Sequence, residues 1–173
     1  DLTKSAAAKM HQKYINSTYG DGIAEDGEWG KETYYATQNI QQGDANDDVT
    51  VLQGMLYCNG QDPNGIDGEF GKNTMAAVCK LQAAAGLNPT GIADRYTWAK
   101  LFGAGKPMHT TMKKGMSGAE VKYLQRRLTD AGFPTATSGT FDDETELAVK
   151  SFQKEKGLKV DGVVGPITWD VID

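Results

Sequence analysis

The chain has 173 residues, and its 18 lysine and arginine residues against 23 aspartate and glutamate residues give it a formal net charge of −5. This acidic balance, with no block of basic residues, argues against a sequence-independent grip on nucleic-acid phosphates. No window contains 18 consecutive apolar residues, so no membrane-spanning helix is predicted. Because the chain begins at Asp1 without a methionine or a signal peptide, we expect an excised or processed form.

A motif of the form Asp-Gly-x-aromatic-Gly-x-x-Thr is repeated along the chain. It occupies residues 26–33 and 67–74, and it recurs more loosely over 138–145. At an offset of 71, residues 67–101 match residues 138–172 at 11 of 35 positions, which is too regular to arise by chance. The predicted organisation is a truncated first copy over 1–42, complete copies over 43–103 and 115–173, and a linker over 104–114.

Each complete copy is predicted to form three helices. The first helix has apolar residues at i, i+3 and i+7, which indicates one buried face. These residues are Val49, Leu52 and Leu56 in the second copy and Val121, Leu124 and Leu128 in the third. In the third copy, the run from Ser117 to Glu120 has the pattern of a capping box at the start of the helix.

The second helix follows the motif loop and is predicted over 72–85 and over 143–156. The third helix is short. It is predicted to begin at Pro166 in the third copy, since proline suits a first helical position, and just after Asp94 in the second copy, since aspartate is a typical N-cap. Its tryptophan, Trp98 or Trp169, is expected to face the core. No useful stretch alternates as a strand does, so the fold class is predicted to be all-α.

The repeated residues resemble the peptidoglycan-binding domain (PGBD) of bacterial and phage cell-wall enzymes, a small three-helix module. The resemblance covers nearly the whole chain, from the Val-x-x-Leu-Gln-x-x-Leu run to the final Thr-Trp pair. The first copy departs from it, since it has His11 where the others have leucine and it has no third helix. The resemblance implies tandem peptidoglycan-binding-like modules, the first one truncated.

The function that this resemblance implies is non-catalytic binding to the glycan and stem peptide of peptidoglycan. Such a module would target a covalently attached cell-wall hydrolase, such as an endolysin or autolysin, to the extracellular wall or to the wall at phage lysis. Two alternatives stay open: a protein-interaction or prodomain module, and a small peptidoglycan hydrolase. No nucleophile–base motif is recognisable, so no catalytic residue is predicted.

The resemblance also places the ligand groove beside the motif loops, where acidic and hydroxyl side chains would receive groups of the ligand. The candidate ligand-binding residues are Asp26, Glu28, Asp67, Glu69, Thr74, Ser138 and Thr140. A structural role is the alternative for these loops. In that case Gly68 permits a tight turn, Phe70 fills the core, and Asp67 holds backbone N–H groups.

The histidines and cysteines are more consistent with structural roles than with metal binding or catalysis. His11 and His109 lie far apart in the chain and belong to no paired metal-binding motif, so neither a metal nor a cofactor is predicted. Cys58 aligns with Asp130 and Cys79 with Lys150, and the opposite charges of the latter pair suggest neighbouring positions. We therefore predict a Cys58–Cys79 disulfide, with two free thiols as the alternative.

Apolar residues stand in the first two copies at places where the third copy is charged. The aligned residues are Tyr14 and Met55 for Arg127, and Tyr34 and Met75 for Glu146. Exposed apolar clusters mark interfaces or binding sites. We expect an interface in which the truncated copy packs on the second copy and does not fold alone, and the alternative is a sugar-binding surface.

Overall fold

The computed structural model describes residues 3–173, and over these residues the chain forms helices and no strand. The helices are α1 (Lys4–Tyr19), α2 (Lys31–Ala36), α3 (Asp47–Cys58), α4 (Lys72–Ala84), α5 (Arg95–Phe102), α6 (Ala119–Asp130), α7 (Asp143–Glu155) and α8 (Pro166–Ile172). The predicted all-α class is confirmed. None of the described helices has the length and apolar character that a membrane crossing requires.

The chain divides into two compact units, the first ending at Pro107 and the second spanning Met108–Asp173. The first unit contains α1 to α5, and the second contains α6 to α8. Each unit has a core of the predicted residues, because the first-helix residues Val49 and Leu52 and the third-helix residues Trp98 and Trp169 are all buried.

The helix starts follow the sequence at two places and depart from it at one. Asp94 caps α5 by accepting a hydrogen bond from Thr97 N at 2.9 Å, and Pro166 occupies the first turn of α8. At α6 the capping-box prediction is wrong. The N-cap is Gly118, which has no side chain to make a cap bond, and Glu120 instead accepts a hydrogen bond from Thr110 N at 2.9 Å.

The segment before each complete copy packs against that copy. Ile40 forms an isolated antiparallel bridge with Ala93 in the first unit, and Met112 forms the equivalent bridge with Val164 in the second. Met112 is buried in the core of the second unit. Part of the segment interpreted from sequence as a linker therefore belongs to the module that follows it.

The truncated copy lies against the second copy within the first unit. Ala8 and Ile15 of α1 are buried on the side that packs against α3. Tyr34 of α2 meets Tyr96 of α5 edge to face with 6.1 Å between ring centroids, and the Trp29 ring stacks on Phe102 of α5 at 5.8 Å. These contacts give α2 a covering that its six residues alone do not provide.

The aligned apolar positions divide into two classes. Met55 and Tyr34 are almost completely buried, whereas Tyr14 and Met75 keep part of their surface exposed. The partly exposed Tyr14 lines a groove, which is described below.

The predicted disulfide is wrong, because no bond joins the two cysteines. Cys58 is exposed at the last residue of α3. Cys79 is half-buried on α4, and its thiol lies 3.7 Å from the carbonyl oxygen of Pro89. Its side chain thus faces the loop between α4 and α5.

The charged residues at the aligned positions explain the error. Lys150 pairs with Glu146 at 3.2 Å within α7, and Asp130 lies 3.8 Å from Arg127 of α6. Each charge therefore has its partner within its own helix. Opposite signs at two aligned positions did not mean that those positions are neighbours.

Candidate functional site

A buried glutamine fastens each loop that carries the motif. In the first unit, the Gln53 side-chain amide donates to Asp67 Oδ1 at 2.9 Å, to Glu69 O at 3.0 Å and to Thr74 Oγ1 at 3.0 Å. Its Oε1 accepts from the backbone N–H groups of Asp67 and Gly68. One side chain from the middle of α3 thus ties that helix to the loop and to the start of α4.

The same bond pattern recurs at every helix–loop–helix connection within a copy, over the part of the chain that the structure describes. The glutamines are Gln12, Gln53, Gln82, Gln125 and Gln153. Each donates to the threonine of the following helix and accepts from a loop glycine N–H. The structural repeat is therefore a single braced connection, shorter than the copy that the sequence alignment defines.

The brace requires glycine at the loop position next to it. Gly68 has a φ of 78°, and a Cβ there would lie 2.8 Å from Thr50 Oγ1. At the matching position of the first copy, a Cβ on Gly27 would lie 2.5 Å from Ser5 Oγ. Both the left-handed backbone and the close approach of the preceding helix exclude a side chain.

Four of the seven candidate ligand residues are part of these braces. Gln12 donates to Asp26, and Gln53 donates to Asp67 and Thr74. Ser138 takes the place of the aspartate in the third copy, and its Oγ accepts a hydrogen bond from Gln125 Nε2 at 3.3 Å. Their polar atoms hold the loop together, as the structural alternative expected.

The other three candidates point outward. The side chains of Glu28, Glu69 and Thr140 are exposed, while their backbone carbonyls accept from the brace glutamines. Glu69 and Thr140 also form isolated backbone bridges with the residues just before α3 and α6. These three side chains therefore stand on a fixed backbone and are open to a ligand.

Hydrogen bonding lowers the pKa of the brace aspartates. For Asp67 the main cause is the backbone N–H of Glu69, followed by the Gln53 amide. For Asp26 the corresponding donors are Glu28 N–H and Gln12. In both cases the donors stabilise the ionised carboxylate.

We expect acid to weaken these loops. A pKa that is lower in the folded than in the unfolded chain adds stability above the unfolded pKa, and this is lost as pH falls through the folded pKa. The stability advantage of wild type over Asp67→Ser should therefore shrink as the pH falls below about 4, the ordinary range of a carboxyl pKa. Urea unfolding at several pH values measures it.

Ser138→Asp is the matched variant in the second unit. It should acquire the acid-dependent stability that Asp67→Ser loses. Identical pH profiles for wild type and both variants would contradict the assigned role of Asp67.

A second recurring feature is an imidazole stacked on the third-helix tryptophan. His11 stacks on Trp98 with 4.3 Å between ring centroids, and His109 stacks on Trp169 at 3.8 Å. The two histidines are not aligned in sequence, because Thr37 stands where His109 would fall. In the first unit the ring arrives instead from α1 of the truncated copy.

Acidic side chains hold both imidazoles. His11 Nδ1 lies 2.7 Å from Asp48 Oδ1, and His109 Nδ1 lies 3.2 Å from Glu120 Oε2. Asp48 and Glu120 occupy the same position of the first helix in their copies. Sequence reasoning missed this arrangement, since no local pattern links α1 to the later tryptophan.

The His11 cluster contains the same sequence of groups as a nucleophilic catalytic triad, but it is not accessible to solvent. His11 Nε2 lies 2.9 Å from Thr37 Oγ1, so hydroxyl, imidazole and carboxylate stand in line. All three side chains are buried, and the Thr37 hydroxyl donates to Thr33 O at 2.8 Å. This cluster therefore holds α1 in place and offers no path to a substrate.

The residues described include no group of three or more histidine, cysteine or acidic side chains arranged for a metal ion. Shallow cavities lie beside the loops. One of about 220 Å³ is lined by Phe133, Pro134 and Leu147, and another of about 190 Å³ is lined by Lys159, Asp161 and neighbouring residues. Each could receive a small part of a polymeric ligand.

Braced three-helix repeats of this kind define a small helical module. The sequence profile of the family described as "Putative peptidoglycan binding domain" matches residues 45–101 and 117–172. These segments make up more than half of the chain, and the chain therefore belongs to the peptidoglycan-binding domain family. The resemblance found in the repeats is confirmed.

Several of the similar proteins have the names of enzymes. The N-acetylmuramoyl-L-alanine amidase CwlL of Bacillus licheniformis is 47% identical over 66 residues, which cover 36% of this chain and 18% of the amidase. The zinc D-Ala-D-Ala carboxypeptidase of Streptomyces albus G is 34% identical over 108 residues, covering 60% of this chain and 38% of that protein.

Among solved structures, the Burkholderia AP3 phage endolysin is 39% identical with a TM-score of 0.37, and the match covers 37% of this chain and 25% of the endolysin. The chain spans less than two fifths of the length of these curated relatives.

Proposed function

We propose that this chain is the wall-binding part of a larger peptidoglycan hydrolase and that it catalyses no reaction itself. The main support is that both complete copies match a peptidoglycan-binding family. In addition, the similar amidase is much longer than the region that matches this chain. The proposed place of action is the extracellular wall, or the wall during phage lysis.

The proposed mechanism is tethering by more than one weak contact. Two modules in one chain convert the second binding event into an intramolecular one, which raises the apparent affinity without any new contact. A tether of this kind would keep a covalently attached catalytic domain at an insoluble substrate.

The ligand contacts we propose are the outward-facing Glu28, Glu69 and Thr140, together with the two shallow cavities of the second unit. Carboxylate and hydroxyl oxygens accept hydrogen bonds from the amides and hydroxyls of glycan and stem peptide. Asp26, Asp67, Thr74 and Ser138 would act indirectly by fixing the loop backbone. The net charge of −5 gives no attraction to anionic wall polymers, so binding should depend on polar contacts.

Sedimentation with purified sacculi tests this function. We expect the purified chain to pellet with insoluble peptidoglycan and to release neither reducing sugar nor free amine from it. Protein that stays in the supernatant with several wall types would contradict the binding. Release of either product would reveal catalysis, and recovery of a bound protein partner instead of sacculi would favour an interaction module.

A further inference from the structure

A groove of about 290 Å³ lies between α1 of the truncated copy and the N-terminal half of α3. Met10, Tyr14 and Val51 give it an apolar wall, and Lys13 and Asp47 carry its charges. Met10 is 47% exposed although it borders this wall, so the apolar surface is open to solvent. None of the brace glutamines and none of the outward-facing side chains Glu28, Glu69 and Thr140 lines this groove.

The two charges of the groove are available to a ligand. Lys13 and Asp47 are both exposed, and over residues 3–173 neither makes an ion pair or a hydrogen bond through its side chain. The hydroxyl-bearing residues Ser17 and Thr50 line the same space. A cation and an anion beside an apolar wall fit a ligand that carries one carboxylate, one ammonium and short apolar groups.

The groove depends on the truncated copy. In the second unit no helix stands before α6 that would match α1. The α6 residues aligned with Asp47, Thr50 and Val51 are Ala119, Lys122 and Tyr123. The charge of Asp47 is therefore missing there, as is the wall that Met10 and Tyr14 supply.

We propose that this groove is a separate site for the stem peptide of peptidoglycan. A free peptide carboxylate would lie at Lys13, a free side-chain ammonium at Asp47, and the alanyl methyl groups against Met10 and Tyr14. The proposal rests on the proposed wall binding and assigns to the truncated copy a function of its own, since α1 supplies one side of the site.

The tripeptide Nα-acetyl-L-lysyl-D-alanyl-D-alanine tests the proposal, because it carries one ammonium and one carboxylate. Titrated into the full chain and followed by NMR, it should shift the Met10 methyl and Tyr14 ring signals saturably. Lys13→Glu should raise the Kd at least about tenfold, as loss of one charge-assisted contact predicts. Lys80→Glu makes the same charge change at an exposed position of α4 and should leave the Kd unchanged.

A modified ligand identifies which charge meets which residue. The C-terminal amide of the tripeptide should bind wild type about tenfold more weakly, yet bind Lys13→Ala as well as the acid does. Acetylation of the lysyl side chain should act in the same way through Asp47, with Asp47→Asn as the partner variant. Equal losses in wild type and variant would overturn the assigned contacts.

Failure of this site and failure of wall binding give different results. If the tripeptide shifts no groove signal while the chain still pellets with sacculi, the groove proposal is wrong and the proposed function stands. If the chain does not pellet either, both are wrong. Shifts centred outside Met10, Lys13 and Tyr14 would also overturn the proposal.

Discussion

Replacing Gln53 with alanine is expected to lower the free energy of unfolding of the first unit by about 3 kcal/mol. The Gln53 side chain is buried and bonds to Asp67, Glu69 and Thr74 at once. Its removal leaves several polar groups without a partner, and each buried unsatisfied group costs about 1 to 3 kcal/mol. Partial exposure of the loop lets water replace some of these bonds, which keeps the sum in that range.

Urea unfolding and amide hydrogen exchange measure this effect. Exchange at Asp67 and Gly68 should accelerate most, because their N–H groups donate to Gln53 Oε1. Gln42→Ala is the control for the same chemical change, since Gln42 is exposed. Gln125→Ala should produce the same loss in the second unit. A loss below about 1 kcal/mol in both units would mean that the braces contribute little.

Replacing His11 with alanine is expected to destabilise the first unit by about 3 to 5 kcal/mol and to release the truncated copy. The change leaves Asp48 as a buried carboxylate without its partner, which is the costly way to break a buried pair. It also removes the ring that covers Trp98. Hydrogen exchange in residues 8–41 should therefore rise well above that in the rest of the unit.

A second substitution separates the charge from the packing. The double variant His11→Ala, Asp48→Asn should recover part of the loss, because it removes the uncompensated charge. His109→Ala is the matched variant in the second unit, and it should cost less, since His109 is 14% exposed against 1% for His11. No recovery in the double variant would show that His11 acts through packing alone.

Local patterns predicted the helices well. Residues spaced at i, i+3 and i+7 form the buried faces of α3 and α6, and Asp94 and Pro166 begin their helices as expected. These signals lie within one helical turn or one face, so the chain states them directly. The family resemblance was equally visible, because it rests on the same repeated residues.

The brace glutamines illustrate a signal that was present but not interpreted. In each complete copy, a glutamine precedes the loop glycine and the helix threonine at nearly the same spacing. Gln53 stands 15 residues before Gly68 and 21 before Thr74, and Gln125 stands 14 residues before Gly139 and 20 before Thr145. The recurrence of these three residue types in the same order was enough to suggest a shared hydrogen-bond network. With it, Asp67 would have been assigned to the loop before it was considered for the ligand.

Other features have no local signal. The His11–Trp98 stack joins residues far apart in sequence, and His109 reaches the same position relative to Trp169 from a different element. The direction in which Cys79 points depends on the packing of α4, so alignment with Lys150 did not decide whether it meets Cys58. Tertiary packing determined these cases.

The central claim is that the chain binds peptidoglycan itself, and a sedimentation isotherm on two forms of sacculi tests it most directly. One form keeps its anionic wall polymers, and the other has been stripped of them with acid. A chain of net charge −5 that recognises glycan and stem peptide should bind the stripped sacculi at least as tightly, with little dependence on salt. Loss of binding on the stripped sacculi would contradict the claim.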